Sequence, residues 1–270
     1  MEDRDRCAGV PRTVTPPGQT PDAAATVSSA PTTKTRDGQS VATVHDRLRT
    51  AILRSEVEPG SSISQATLAR DFGAGRTPLR EALRLLQREG LVIADPNQRV
   101  RIAELSAGDF EEILIARLAL EAVAIRITVP ALTSANVAAL EGYVAQMEHY
   151  QRAGDPAGFR GPHRAFHHTL VGATGPRVSA EIRELTDHAE RYRLRFGAFG
   201  SWDDRRTEHR AILDAAASGN ADQAVDSLAR HYARTVPLVF GVLDHDHDLD
   251  RLFTTLRAVA PGAEAALRAD

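Results

Sequence analysis

The sequence predicts a mainly α-helical fold in two folded parts: a small N-terminal unit with a β-hairpin, then a larger all-helical bundle. Between residues 40 and 104, apolar residues recur at helical spacing in three short stretches and then form two runs of strand type around a turn. Beyond residue 105 the apolar pattern has only the helical period, and short segments with proline or glycine interrupt it.

Composition is typical of a soluble globular protein, with 42% hydrophobic and 26% charged residues. No segment approaches the run of about 18 apolar residues that a membrane span needs. The N-terminal MEDRDR is not followed by the apolar core of a secretory signal. The single cysteine, Cys7, excludes an internal disulfide. We therefore expect a cytoplasmic protein with no membrane partner.

Composition and charge divide the chain into segments. Residues 1–39 are rich in Pro, Thr, Ser, Ala and Gly and hold almost no large apolar residues, so we predict a disordered tail. Residues 40–105 carry a net charge of +2, whereas residues 106–270 carry −5. A basic unit thus precedes an acidic one, and this order favours nucleic acid as a partner of the first unit.

The predicted unit of residues 40–104 has the order helix, helix, helix, hairpin. Its helices begin at Ser40, Ser64 and Arg76, and its strands cover 91–94 and 99–103 on either side of a Pro96-Asn97-Gln98 turn. The short middle helix and the tight Gly73-Ala74-Gly75 turn are typical of a winged helix-turn-helix, a DNA-binding fold.

Three polar residues at the start of the third helix are candidates for DNA contact. Arg76, Thr77 and Arg80 lie where a recognition helix meets base edges and phosphates. Arginine can donate two parallel hydrogen bonds to guanine, and threonine can bond a phosphate. A surface helix that is merely solvated by its arginines would show the same local pattern.

The second part is predicted to be a helical bundle over residues 105–245, followed by a C-terminal extension over 246–270. The predicted helices cover 106–128, 133–153, 156–172, 176–198, 203–218 and 220–243, and a weaker helical segment covers 246–258. The weaker segment could dock on the bundle or remain loose.

Four histidines of the bundle are candidate metal ligands. His163 and His167 are four residues apart and share one helix face, and His209 and His231 lie on two later helices. Imidazoles from three helices can converge in a bundle core to hold a divalent ion. Ordinary core or surface histidines could have the same spacing.

The N-terminal unit resembles a known family of regulators. The segment PGSSISQATLARDFGAGRTPLREALRLLQREGLV is similar to the GntR family signature, and the similarity covers nearly all of residues 44–103. The resemblance implies that Arg76, Thr77 and Arg80 make the principal DNA contacts, while Arg99 or Arg101 of the wing reaches a phosphate.

The segment departs from the family pattern at three places. Gly75 replaces the usual Ser or Thr, which removes one side-chain cap and phosphate contact, although glycine is a tolerable N-cap. Ala66 stands where some members have arginine, and the wing reads Pro-Asn-Gln-Arg instead of Pro-Asn-Arg-Gly.

The bundle resembles the FCD ligand-binding domain of the FadR subfamily of these regulators. The match extends from residue 108 to about 240 and is carried by Arg117-x3-Glu121, His163-Arg-Ala-Phe-His167, Glu208-His209 and His231. By this resemblance His167, His209 and His231 bind a metal, and His163 replaces the family's aspartate. Four neutral imidazoles would leave the site near +2, which favours zinc, or nickel, and attracts a carboxylate effector.

The resemblance further implies a homodimer that binds an inverted-repeat operator as a repressor and responds to a small carboxylate. Arg117 and Arg195 are the candidate effector ligands, because a guanidinium suits a carboxylate.

Two alternatives remain open from the sequence. The first is the same regulator with a purely structural metal. The second is a metal-dependent hydrolase, but the pair reads His-Arg-Ala-Phe-His and lacks the glutamate base of His-Glu-x-x-His. We therefore expect no catalytic residues and no enzyme.

Overall fold

The computed structural model describes residues 40–95, 99–196 and 202–263. The tail at 1–39 and the wing turn at 96–98 lie outside the described residues, as does the end of the C-terminal extension. The elements run in the order α1 (Val41–Leu53), β1 (Ser62–Ser64), α2 (Gln65–Asp71), α3 (Arg76–Arg88), β2 (Val92–Asp95), β3 (Arg99–Ile102), α4 (Ala107–Thr128), α5 (Ser134–Arg152), α6 (Pro156–Leu170), α7 (Pro176–Arg195), α8 (Trp202–Ala217), α9 (Ala221–Ala233), α10 (Thr235–Leu243) and α11 (Asp250–Val259). The mainly helical fold with an N-terminal hairpin is confirmed.

Helix starts in the N-terminal unit follow the predicted caps. The Ser40 hydroxyl accepts a hydrogen bond from the backbone N–H of Thr43 at 3.1 Å, and Ser64 caps α2 in the same way. Such a cap satisfies one of the orphan N–H groups of the first turn. The helices pack around a small core that includes Leu48 and Leu79.

The sheet of this unit has one more strand than predicted. β1 pairs antiparallel with β3, and β3 pairs antiparallel with β2, so the strand order is β1-β3-β2. The Ser-Ile-Ser sequence of β1 is too short to show a strand period. Along β3, Val100 and Ile102 are buried and Arg99 and Arg101 are exposed, so both arginines lie on the outer face of the wing.

The bundle is organised around α4. This helix packs against α7, α9 and α11, and it buries Phe110, Leu114 and Ile125 in a core shared with Leu140 and Phe166. Within the described residues, no helix combines the length and the apolar character needed to cross a bilayer.

One detail of the bundle differs from the sequence prediction, and one alternative that the sequence left open is decided. The single helix predicted at 220–243 is interrupted at Arg234, between α9 and α10. Pro237 explains the break, because proline has no N–H to donate and its ring clashes with the carbonyl four residues earlier, at Ala233. The segment after residue 246 is not loose in the described part: α11 packs on α4, and Leu252 and Leu256 are buried.

A buried carboxylate holds this C-terminal segment. Glu111 of α4 is fully buried and accepts hydrogen bonds from the backbone N–H of Leu252 at 3.3 Å and from the Arg251 guanidinium. His247 lies 3.2 Å from the same carboxylate. The C-terminal segment is therefore part of the folded bundle.

Candidate DNA-binding face and metal centre

The three predicted contact residues of α3 lie together on an open surface. Arg76, Thr77 and Arg80 are all exposed and line a groove with residues of α2. Within the described part of the chain, neither Arg76 nor Arg80 forms a salt bridge, whereas Arg84 pairs with Glu81 at 2.8 Å. The two guanidiniums at the start of the helix are thus available to an external acceptor, at the end where a helix favours anions.

The two wing arginines are held by their neighbours. Arg99 donates to the hydroxyl of Ser62 at 2.9 Å and to its carbonyl at 2.7 Å, which ties it to β1. Arg101 donates to Glu104 at 3.3 Å. Both remain exposed on the face of β3 described above. They add positive charge beside the wing but are less free than the arginines of α3.

The four predicted histidines converge. α6 supplies His163 and His167, α8 supplies His209 and α9 supplies His231. One nitrogen from each ring lies within 4.8 Å of the others. The ring centroids of His163 and His167 are 4.6 Å apart, and so are those of His209 and His231. His163 is therefore a member of the cluster with the other three histidines.

Two of the clustered histidines, His163 and His167, are buried with ring nitrogens that make no hydrogen bond to the described residues. His163 and His167 are each 8% exposed. Among the described residues, the Nε2 of His163 and both ring nitrogens of His167 have no hydrogen-bond partner. Burial, reinforced by the neighbouring histidines and arginines, lowers the pKa of both rings well below 6.5. Both are therefore neutral, which is the form that binds a metal.

The donor set fits a divalent ion. Unpartnered buried polar atoms are costly, and a metal would satisfy the lone pairs of His163 and His167 together. Zinc–nitrogen bonds of about 2.0–2.1 Å would bring four tetrahedral donors to roughly 3.4 Å from one another. An all-imidazole site favours zinc, nickel or cobalt over magnesium.

A glutamate orients one of the four histidines. Glu208 of α8 lies 2.9 Å from the Nδ1 of His231, and its other carboxylate oxygen contacts Arg234. A carboxylate commonly fixes the tautomer and orientation of a ligand histidine, so Glu208 would hold His231 in place for metal binding. The sequence places Glu208 next to His209 but gives no sign of this partner, because His231 lies on another helix.

A cavity opens beside the cluster. It measures about 60 Å³, and its lining includes His163, His167 and His231 together with Arg117, Arg193 and Arg234. Of the two arginines that the sequence proposed for the effector, Arg117 lines this cavity. Arg195 is not part of its lining and pairs with Glu58 of the N-terminal unit at 2.8 Å. Arg193, two residues earlier on α7 and on a different side of that helix, lines the cavity instead.

Arg117 belongs to a buried triad at the floor of the cavity. Its Nε donates to Glu121 at 2.9 Å and its Nη2 donates to the hydroxyl of Tyr232 at 2.5 Å. The Tyr232 hydroxyl in turn donates to Glu121 at 2.5 Å. Burial raises the pKa of Tyr232 well above 10, so the phenol stays neutral. The triad fixes the orientation of the Arg117 guanidinium below the cluster.

Family models match both parts of the chain. The model for bacterial regulatory proteins of the gntR family matches residues 40–102, and the model for the FCD domain matches residues 112–234.

Individual proteins show the same similarity. An HTH-type transcriptional regulator in the TAR-I ttuE-ttuC' intergenic region of Agrobacterium vitis is 36% identical over 138 residues, which cover 48% of this chain and 78% of the relative. The HTH-type transcriptional repressor GlaR of Escherichia coli is 26% identical over 204 residues, which cover 71% of this chain and 92% of the relative. The solved structure of E. coli McbR/YncC superposes with a TM-score of 0.65 at 20% identity and covers 74% of this chain and 97% of that one. These similarities indicate a transcription regulator and do not favour the hydrolase alternative.

Proposed function

Because this chain belongs to the GntR family of bacterial regulatory proteins and carries an FCD domain, we propose that it is a metal-dependent repressor that a small carboxylate controls. The observation that carries the proposal is the cavity shared by three of the clustered histidines and three arginines. Repression is proposed because GlaR, similar over most of its length, is a repressor.

The DNA-binding half of the proposal assigns the main contacts to α3. Arg76 and Arg80 bind guanine edges or phosphates and Thr77 binds a phosphate, while Arg99 and Arg101 contribute phosphate contacts from the wing. A homodimer would present two such helices to successive turns of the major groove, so the operator is an inverted repeat. Light scattering of the purified protein tests the dimer.

The test of the DNA face compares two positions on one helix. Operator fragments selected in vitro are titrated against wild type, the Arg76→Ala/Arg80→Ala variant and an Arg84→Ala control. Each lost base contact costs about 1–3 kcal/mol, so we expect the double variant to lose at least tenfold in affinity and much of its selectivity. Arg84→Ala removes an arginine that pairs with Glu81 and should stay within about threefold of wild type. Intact selectivity in the double variant would contradict the assignment.

The metal half of the proposal assigns the four histidines as ligands. The ion would supply positive charge, and with four histidine ligands it would have to expand to five-coordinate to take up a carboxylate. Titration of chelator-treated protein with zinc should give one site per chain. His163→Ala should weaken zinc binding at least tenfold, whereas His168→Ala, an exposed neighbour on the same helix, should not. If His163→Ala binds zinc as tightly as wild type, His163 is not a ligand.

Charge and size together select the effector class. Arg117, Arg193 and Arg234 are each near a glutamate, Glu121, Glu190 and Glu208 respectively. These charges cancel, so a divalent ion held by neutral histidines would leave the cavity positive and favour an anion. A cavity of about 60 Å³ holds only a few water-sized groups. We therefore propose a carboxylate of a few carbon atoms.

Calorimetry separates this sensor from a purely structural metal. Acetate, lactate and pyruvate are titrated into zinc-loaded wild type, an Arg193→Gln variant and an Arg195→Gln control. Binding that Arg193→Gln weakens at least fivefold and Arg195→Gln leaves unchanged supports the proposed cavity. Zinc binding without heat from any small carboxylate would support the structural alternative.

A further inference from the structure

A buried carboxylate of α7 bridges the two parts of the protein. Asp187 is 4% exposed. Its Oδ2 accepts a hydrogen bond from the Nη1 of Arg49 at 2.8 Å, and its Oδ1 lies 2.5 Å from the Nη1 of Arg164. Arg49 belongs to α1 of the DNA-binding unit, and Arg164 belongs to α6 of the bundle.

On the DNA side, the same arginine reaches the end of the recognition helix. The Nε of Arg49 donates to Glu89 at 2.7 Å, and Glu89 is the C-cap residue of α3. His45 of α1 contacts the same carboxylate at 2.5 Å. α1 and α3 also share the core of the N-terminal unit. A displacement of Arg49 is therefore transmitted to α3 by both charge and packing.

On the bundle side, the other arginine is adjacent to the metal centre. Arg164 directly follows His163 and precedes His167 by three residues on α6. If α6 shifts when His163 and His167 bind an ion, Arg164 moves relative to Asp187. The neighbouring Thr186 lines the effector cavity, so α7 meets that cavity beside the residue that holds the DNA-binding unit.

α7 makes two other contacts towards the N-terminal side of the chain, and neither involves α6. Arg191 donates to the carbonyl of Ala103 at 2.9 Å, and Arg195 pairs with Glu58 on the exposed surface. Among the described residues, the pathway through Asp187 is the one whose hydrogen bonds and salt bridges join a ligand-bearing helix to the recognition helix.

We propose that the chain Arg164–Asp187–Arg49–Glu89 couples occupancy of the histidine cluster to the position of the recognition helix, with Asp187 as its positioning residue. The proposal rests on the proposed metal-dependent function and names the route of its regulation. A ligand can change DNA affinity only if it binds the DNA-competent and incompetent arrangements differently. The pathway provides a contact that differs between two such arrangements.

The test measures the ratio of operator affinities with and without zinc. Anisotropy titrations use full-length wild type, Arg164→Gln, Arg164→Lys and Arg160→Gln, with an operator duplex selected in vitro. Arg160 lies one turn earlier on α6 and forms no ion pair with the described residues, so it controls for charge. Zinc affinity is measured for each variant by competition with a chromophoric chelator.

We expect zinc to change operator affinity of wild type by a factor of roughly 5–150. Arg164→Gln should bring that factor close to one while its zinc affinity stays within about twofold, because Arg164 is not a ligand. Arg164→Lys should restore part of the factor, and Arg160→Gln should keep all of it. A full wild-type factor in Arg164→Gln would overturn the pathway.

Hydrogen–deuterium exchange of α1 provides the second readout. Zinc should alter exchange across Val41–Leu53 in wild type and not in Arg164→Gln. If zinc alters exchange of α1 in this way but leaves operator affinity unchanged, the pathway stands and the proposed metal-dependent function fails. If zinc alters exchange of α1 equally in both proteins, or in neither, the pathway is overturned.

Discussion

Replacing Glu121 with leucine tests how far the stability of the bundle depends on the buried triad below the histidine cluster. Arg117 is 7% exposed and Glu121 is 1% exposed. In the variant the guanidinium of Arg117 keeps its charge and its bond to Tyr232 but loses its counter-ion. Removing one partner of a buried ion pair costs about 3–5 kcal/mol, because the other charge stays desolvated.

The expected effect is large enough to measure in two ways. For a chain of this size we expect the free energy of unfolding to fall by about 3–5 kcal/mol and the midpoint of thermal unfolding to fall by roughly 6–20 °C. Urea denaturation of the metal-free protein, followed by circular dichroism and by fluorescence, measures the first quantity. Agreement of the two probes supports two-state analysis.

Two further variants separate lost charge pairing from lost packing. Arg126→Met breaks an ion pair with Asp222 whose side chains are 39% and 80% exposed, so it should cost no more than about 1 kcal/mol. The triple variant Arg117→Met/Glu121→Leu/Tyr232→Phe makes the whole triad apolar and should recover most of the loss. A Glu121→Leu protein within 1 kcal/mol of wild type, or a triple variant no more stable than the single one, would refute the reasoning.

Three other predictions follow from single contacts. Glu208→Gln should weaken zinc binding about 10–100-fold by releasing His231, whereas Glu190→Gln, in the same cavity, should not; equal effects would contradict an orienting role. Glu111→Gln should speed hydrogen exchange of α11 roughly 5–150-fold, since the buried acceptor is worth about 1–3 kcal/mol, and unchanged protection would show that α11 docks without it. Burial, together with Arg191, lowers the pKa of His188 below 6.5, so below that pH the unfolded chain takes up a proton that the folded protein does not. Stability should fall as pH drops below 6.5, by at most about 1.4 kcal/mol per pH unit for this group, and an unchanged slope in His188→Gln would contradict this.

Local signals in the sequence predicted most of the helices, whereas the histidine cluster was predicted from the resemblance to the FCD domain, because the spacing alone also fits ordinary histidines. Ser40 and Gly75 mark helix starts because capping depends on residues next to each other in the chain. Contacts between side chains of different helices could not be predicted from local patterns. The guanidinium of Arg195 is chemically suited to bind a carboxylate effector, yet it pairs with Glu58, a residue 137 positions away in the chain. Asp187 carries no local pattern at all, because its two arginines come from α1 and α6.

The interruption at Arg234 was signalled locally by Pro237, but the continuous apolar periodicity led to the prediction of one helix. The apolar periodicity of 220–243 is continuous, and periodicity alone extends the helix through Pro237. Proline fits the first turn of a helix and is costly in its middle, although α6 accommodates Pro162. The break places Arg234 at the junction, where it reaches Glu208 and the cavity beside the histidine cluster.

The docking of α11 on Glu111 sets a practical boundary for any isolated sensor fragment. Leu256, Ala260 and Ala263 have no solvent exposure, so a protein shortened to the end of α10 would expose an apolar strip of α4 to water. A fragment that retains ligand binding should therefore run to Ala263 or beyond, and fusion partners are better attached at the opposite end of the chain.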